Sequence, residues 1–181
     1  MDIKEILELV EEGYTSENTT YKNKVYAISY FLSALIFILI HIAINYNSPN
    51  ILFVISFLML VGGILIIKQK IIYKKFKCYF DKIFEKIMIY GLFAIILSSI
   101  ISLYVFPEIS CVFISLILGF LICIDGALFN SKGRKILGVI VMLSSIPIIM
   151  YIQYQFLILA FVQFLVSFYF LIRSIKCGSN E

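Results

Sequence analysis

Three polar side chains lie within or beside long apolar stretches of the sequence, where a polar group is costly and calls for an explanation. Gln163 lies near the middle of the apolar segment 155–172, His41 about one turn before the end of 25–45, and Asp125 about one turn before the end of 110–129, close to the basic segment 132–135. The Gln163 amide could form an interhelical hydrogen bond, contact a ligand or line a pore. Histidine exchanges protons near neutral pH, but a lone interfacial histidine is more often simply hydrogen-bonded or hydrated. Asp125 is expected to pair with the basic segment or reach the interface, since a proton or cation relay favours a deeper carboxylate with companions.

A row of small residues repeats at every fourth position through the stretch that contains Asp125. The row consists of Cys111, Ser115, Gly119, Cys123 and Ala127. A shorter row of Ala94, Ser98 and Ser102 precedes it. Small residues let helix backbones approach closely, which drives helix association in lipid. We therefore expect the two helices that carry these rows to form the closest pair, with docking of another membrane subunit as the alternative.

The residues that could do chemistry form no catalytic or metal-binding signature. The motifs GxSxG, HExxH and the phosphate-binding loop are all absent from the sequence. His41 is the only histidine, and the four cysteines contain no CxxC pair, which argues against a zinc site. We therefore interpret the protein as non-enzymatic and expect no cofactor and no metal.

These side chains belong to a chain with the composition of a membrane protein. Of its 181 residues 62% are hydrophobic and 14% are charged, whereas about 25% are charged in a soluble domain. The stretches 25–67, 87–131 and 136–172 contain 43, 45 and 37 residues, and their only charged residues are Glu108 and Asp125. A membrane-spanning helix needs about 20 apolar residues, so each stretch accommodates two spans and a turn.

Each stretch also has a segment near its middle that favours a turn. The first is 45–50, the second centres on Pro107 and Glu108, and the third is 151–155, which lacks Gly and Pro. The sequence therefore predicts an all-α transmembrane bundle of six spans arranged as three consecutive hairpins. The predicted spans are 25–45, 51–67, 87–106, 110–129, 136–152 and 155–172.

Pro147 interrupts the fifth predicted span, because proline lacks an N–H and its ring clashes with the preceding turn. Ser144 and Ser145 lie just before it and can form hydrogen bonds with the freed carbonyl groups. We expect a kink at this point, which serves helix packing more often than hinge motion.

The distribution of basic residues predicts the orientation of the chain. All 15 Lys and Arg residues lie near the N-terminus, in 68–86, in 132–135 or near the C-terminus, and none lies in the three turns. The positive-inside rule places these segments in the cytoplasm, and an even number of spans places both termini there. The expected location is therefore the cell membrane, as a multi-pass protein.

Three segments lie outside the predicted transmembrane domain 25–172. Residues 1–24 begin with an amphipathic helix over 2–12, which either lies at the membrane surface or docks a cytoplasmic partner. The loop 68–86 carries seven lysines at helical spacing with apolar residues, and we expect it to bind anionic lipid headgroups. Membrane topology explains these lysines, so nucleic-acid binding is not expected. The segment 173–181 is a short cytoplasmic tail.

The layout of six spans resembles, over most of the chain, small six-helix proteins of the acid-resistance HdeD-like type, and no function is transferred from this likeness. We interpret the protein as an accessory or stress-related membrane component that acts through helix packing, with a second copy or another membrane subunit as partner. The alternative is a permease-like unit or substrate-binding subunit of a small-molecule transporter. A polar, water-accessible cavity that reaches Gln163 would favour transport, whereas a tightly packed interior with an exposed Gly119 face would favour assembly.

Overall fold

The described part of the protein is helical. The computed structural model describes residues 16–46, 54, 79–105 and 109–178. No strand occurs in these ranges, so the prediction of an all-α chain is confirmed for them. The predicted helix 2–12 and most of the predicted span 51–67 lie outside the described residues, as does most of the basic loop.

Six α-helices follow one another along the described chain. They are α1 (Ser16–Tyr46), α2 (Tyr79–Val105), α3 (Ser110–Leu128), α4 (Lys132–Leu143), α5 (Ser145–Met150) and α6 (Gln155–Gly178). A 3-10 turn, Ile152–Tyr154, connects α5 to α6 and lies in the predicted third turn. The helix α1 begins nine residues before the predicted first span, because a helix can continue beyond the apolar core at little cost once it has nucleated.

Four helical segments are long and apolar enough to cross a bilayer. These segments are Thr20–Tyr46, Ser110–Leu128, Lys132–Met150 and Ile152–Lys176, and they correspond to the first, fourth, fifth and sixth predicted spans. The third predicted span, 87–106, lies almost wholly in α2, in which the portion Lys86–Ser98 is apolar. The membrane character of the chain is therefore supported, while the count of six spans and the orientation of the termini stay predictions.

The chain forms two compact units. Among the described helices, the first unit contains α1 and the part of α6 from Gln163 onward. The second unit contains α2 from Phe80 onward, α3, α4, α5 and α6 as far as Val162. The candidate residues are therefore divided between the units, with His41 and Gln163 in the first and Asp125 in the second.

In the first unit, α1 and α6 pack in an antiparallel arrangement. Phe31 contacts Phe164 at 5.3 Å between ring centroids, and the Ser167 hydroxyl donates a 2.7 Å hydrogen bond to the carbonyl of Ala27. Residue numbers thus rise along one helix as they fall along the other. Ala27 and Ala34 are buried, and such small side chains allow helices to approach closely.

In the second unit, a tight turn joins α3 to α4. Its residue Asn130 has a positive φ of 45°, a conformation that asparagine tolerates better than most residues. The Ser131 N–H donates to the carbonyl of Gly126 at 2.8 Å, and the Asn130 N–H donates to that of Ala127 at 3.3 Å. This pair of bonds is the Schellman pattern, which satisfies the last carbonyls of a helix and reverses the chain so that α4 returns along α3.

The predicted interruption near Pro147 is present between α4 and α5. The helix α4 ends at Leu143, and Ser144 connects it to α5. The Ser144 hydroxyl donates a 2.6 Å hydrogen bond to the carbonyl of Val141, so one of the two expected serines does bond to a carbonyl near the break.

Candidate functional site

A buried ion pair links the two helices of the α3–α4 hairpin. Asp125 lies in the last turn of α3 and Arg134 in the first turn of α4. Their Oδ2 and Nη1 atoms are 2.5 Å apart, and the two side chains are 3% and 5% exposed. The Arg134 guanidinium also lies 5.6 Å from the centroid of the Phe129 ring. Asp125 therefore pairs with the basic segment that follows it and stabilises the closed hairpin.

The small residues of α3 pack against α4. A Cβ added to Gly119 would lie 2.7 Å from both the Gly138 carbonyl oxygen and the Met142 nitrogen, and one added to Gly138 would lie 2.6 Å from the Gly119 oxygen. The backbones are therefore in direct contact at this crossing. Cys123 also contacts α4, through a 3.5 Å bond from Sγ to the carbonyl of Lys135.

We expected this row of small residues on α3 to pack against α2. That expectation is wrong for Ser115, Gly119 and Cys123. In the shorter row on α2, Ala94 is exposed, whereas α4 supplies Gly138 at the crossing point. The ends of the longer row differ from one another, since Cys111 is buried and Ala127 is exposed. A close crossing needs a small residue on both helices at the same level, and α4 meets that condition through a glycine that the four-residue spacing on α3 could not reveal.

A compact serine network lies farther along the same hairpin. The Ser115 hydroxyl is 2.6 Å from the carbonyl of Val141 and 2.8 Å from the Ser144 hydroxyl. Ser144 donates to the same carbonyl. Three oxygens thus share two hydroxyl hydrogens, and both serines are buried. These hydroxyls stabilise the packing of α3 against α4.

His41 forms a local hydrogen bond near the end of α1. The Asn45 amide donates to His41 Nε2 at 2.9 Å. His41 lies ten residues beyond Phe31, whose partner on α6 is Phe164, and ten residues correspond to about 15 Å along a helix. The structure therefore does not bring His41 and Gln163 together, which removes the basis for a cavity shared by these two side chains.

Gln163 is the candidate that the described structure leaves without an assigned role. Its side chain is 2% exposed, and neither its Oε1 nor its Nε2 atom has a hydrogen-bond partner in the described part of the chain. The expected interhelical hydrogen bond is therefore not found there. A buried amide without a partner costs about 1–3 kcal/mol, so this side chain marks a place where another group is needed.

The first unit also contains a polar and aromatic cluster that we did not expect from the sequence. Phe170 packs edge-on against Tyr26 and Tyr169, with ring centroids 5.1 and 5.5 Å away, and is stacked on Tyr30 at 5.9 Å. Lys22 precedes Tyr26 by one turn, and its Nζ atom is 5.7 Å from the Tyr26 centroid. The four-residue spacing of Lys22, Tyr26 and Tyr30 is the signal in the sequence that could have identified this face.

The comparisons with known proteins identify a relative. No family model matches the chain, and no solved structure matches it. The chain is 63% identical over 172 residues to "Uncharacterized protein MJ0433" of Methanocaldococcus jannaschii, an alignment that covers 95% of this chain and 98% of the relative. Because the similarity extends over nearly the full length of both proteins, the chain belongs to the same family as MJ0433 of Methanocaldococcus jannaschii.

Proposed function

We propose that this protein is a non-enzymatic, multi-pass accessory component of the cell membrane that acts through helix packing. The observation that carries the proposal is the internal use of polar groups in the α3–α4 hairpin. Asp125 pairs with Arg134, and Ser115 and Ser144 bond to one another and to a carbonyl. Groups bonded in this way stabilise a helix pair rather than act on a substrate.

The exposed residues of the same hairpin support a lipid environment. The helices α4 and α5 expose large apolar side chains, namely Ile136, Val139, Ile140, Leu143, Ile146, Ile149 and Met150. In water such a surface would favour aggregation, whereas in a bilayer it faces an apolar solvent. The packed hairpin therefore presents an outer surface suited to lipid or to another membrane helix.

The proposed partner is a second copy of this chain or another membrane subunit. Gly119 is buried against α4, so the exposed Gly119 face that would have favoured assembly is absent, and the contact would use the outer apolar surface. Two copies with different tags can be co-expressed, extracted in a mild detergent and purified through one tag. We expect the second tag to be recovered, and separately expressed copies mixed after extraction provide the control for aggregation.

If the second tag were recovered from the separately expressed, mixed copies and not from the co-expressed copies, self-association would be contradicted. A single copy that forms no complex with any membrane subunit in a mild detergent would overturn the assembly proposal as a whole. A discrete complex of defined mass, measured by light scattering, would support it.

Transport of a small molecule is the second candidate, and Gln163 is the observation that favours it. The amide lies in the middle of a helix that is long enough to span a bilayer, and it is buried without a partner in the described part. Polar side chains at that depth often contact a substrate or line its pathway. A permease-like unit or substrate-binding subunit would use the amide in this way.

The variant Gln163→Leu separates the two candidates by the sign of its effect on stability. If the amide awaits a ligand, the ligand-free variant should gain about 1–3 kcal/mol in free energy of unfolding, because the unsatisfied group is removed. The matched control Ser167→Ala breaks a known bond to Ala27 and should lose about 0.6–1 kcal/mol. A loss for Gln163→Leu as large as that of the control would show a partner within the chain and remove the support for transport.

A further inference from the structure

The turn between α5 and α6 carries two exposed tyrosines. Tyr151 and Tyr154 are 58% and 53% exposed, and the Tyr154 N–H donates a 2.9 Å hydrogen bond to the carbonyl of Tyr151. This bond closes the 3-10 turn Ile152–Tyr154. Since each residue of a 3-10 helix rises by about 2 Å, the two tyrosines lie at nearly the same level of the molecule.

The lengths of the flanking segments place this turn at a surface of the bilayer. Lys132–Met150 and Ile152–Lys176 are each long and apolar enough to cross it, and they adjoin Tyr151 on either side. The 19 residues of Lys132–Met150 extend about 28 Å as helix, which is close to the hydrocarbon thickness of about 30 Å. The turn therefore reaches the interface opposite the basic segment 132–135.

The chemistry of the turn differs from that of the basic segment. Lys132 and Lys135 are exposed and can attract anionic headgroups. Residues 151–155, by contrast, contain no charge, and Gln153 is exposed between the two tyrosines. Tyrosine combines an apolar ring with a polar hydroxyl, which is why it is enriched at membrane–water interfaces. Attraction of this turn to the lipid therefore depends on its rings and polar groups rather than on charge.

We propose that Tyr151 and Tyr154 anchor the α5–α6 turn in the headgroup layer of the bilayer, at the interface opposite the basic segment 132–135. Each ring lies at the boundary of the acyl chains, and the hydroxyls face the headgroups and water. The anchor fixes the depth of the turn in the lipid. The inference rests on the proposed membrane location, but on neither assembly nor transport.

The first test measures the depth of the turn with tryptophan reporters. The chain contains no tryptophan, so a single introduced one reports its own position. Tyr151→Trp and Tyr154→Trp are compared with Ile140→Trp, a position that is 52% exposed and lies near the middle of Lys132–Met150. Each protein is reconstituted into phosphatidylcholine vesicles brominated either near the headgroup or near the end of the acyl chains.

We expect bromine near the headgroup to quench the fluorescence of both turn variants about twofold more strongly than bromine near the chain ends. The order should be reversed for Ile140→Trp. High salt should leave the pattern unchanged, because the turn has no charge for salt to screen.

Three outcomes of the quenching experiment would overturn the anchor. Turn variants that are not quenched beside a strongly quenched Ile140→Trp would place the turn in water or beneath another protein. Turn variants with the same quenching order as Ile140→Trp would place it too deep. No quenching of any of the three would overturn the membrane location itself, on which the anchor rests.

The second test measures the thermal midpoint of the protein in unbrominated vesicles. Tyr151→Ala should lower the midpoint, whereas Tyr151→Trp should preserve it, because tryptophan shares the preference of tyrosine for the interface. The matched control Phe161→Ala removes a ring that is 63% exposed but lies six residues into α6, about 9 Å from the turn, and should change the midpoint little. Equal losses in Tyr151→Ala and Phe161→Ala, or no rescue by tryptophan, would contradict an interfacial anchor.

Discussion

At the scale of single residues, the pair of Asp125 and Arg134 shows how the chain accommodates charge at the end of apolar helices. Both side chains are almost completely buried, and removing two charges from water costs several kcal/mol for each ion. Their separation of 2.5 Å and the Phe129 ring beside the guanidinium offset that cost. The pair is therefore stable only while both partners are present.

The first prediction concerns the loss of one partner. Asp125→Asn leaves the Arg134 charge buried without its counter-ion, and we expect a loss of about 3–5 kcal/mol in the free energy of unfolding. The double variant Asp125→Leu with Arg134→Met should recover most of this loss, because neither charge is then buried. Thermal or denaturant unfolding in detergent measures both effects.

Lys132→Gln serves as the control for the ion pair. Lys132 lies in the same basic segment but is exposed, so its replacement should change stability by no more than about 0.5 kcal/mol. If Asp125→Asn were as mild as this control, the pair would have no structural role. A double variant less stable than either single variant would contradict the explanation based on charge burial.

At the scale of elements, the close approach of α3 and α4 depends on glycines on both helices. Added Cβ atoms at Gly119 and Gly138 would meet backbone atoms of the facing helix at 2.6–2.7 Å. Backbone atoms cannot move aside without shifting the whole helix. The Schellman turn at Asn130 and the serine network therefore stabilise a contact that the glycines make possible.

The second prediction compares two glycine-to-alanine substitutions. Gly138→Ala should destabilise the protein by about 1–3 kcal/mol, as expected for overpacking. Gly91→Ala is the matched control, because its added Cβ would meet only side-chain atoms of Leu121 at 2.7 Å or more, which can rotate away. Alanine also favours a helix over glycine by about 1 kcal/mol, so the control should be nearly neutral. Equal losses in unfolding experiments would show that the backbone contact does not limit the packing of the pair.

At the scale of the whole molecule, two features determine how the chain inserts into the bilayer. They are its apolar helices and the confinement of its basic residues to certain segments. Four described segments are long and apolar enough to span it. The two compact units each contain helices of this kind. Membrane insertion is therefore expected for both units, while their polar groups are used for packing within each unit.

The third prediction concerns topology and location. The protein should stay in the membrane pellet after an alkaline carbonate wash, because spanning helices are released only by detergent. Reporter fusions after residues 75 and 181 should be cytoplasmic, whereas a fusion after residue 48 should be external. An external reporter at residue 181 would contradict an even number of spans. A reporter on the same side at residues 48 and 75 would contradict the second predicted span.

The local features of this protein follow from the order of its residues. Apolar stretches of sufficient length predict helices, and four described segments that coincide with expected spans are long and apolar enough to cross a bilayer. The turn 151–155 and the break at Ser144 lie where the local sequence predicts them, and Asp125 pairs with the basic segment nine residues later. These features depend on residues near one another in the chain, so the order of side chains is sufficient to predict them.

Which helix faces meet, in contrast, could be seen only in the folded protein. Ser115 and Gly119 pack on α4 rather than α2, because Gly138 happens to lie at the same level. Ser167 and Ala27 meet only through the antiparallel register of two helices that are far apart in sequence. Contacts of this kind depend on how well two helix surfaces fit and on how far one helix is displaced along the other. The periodicity of a single helix encodes neither quantity.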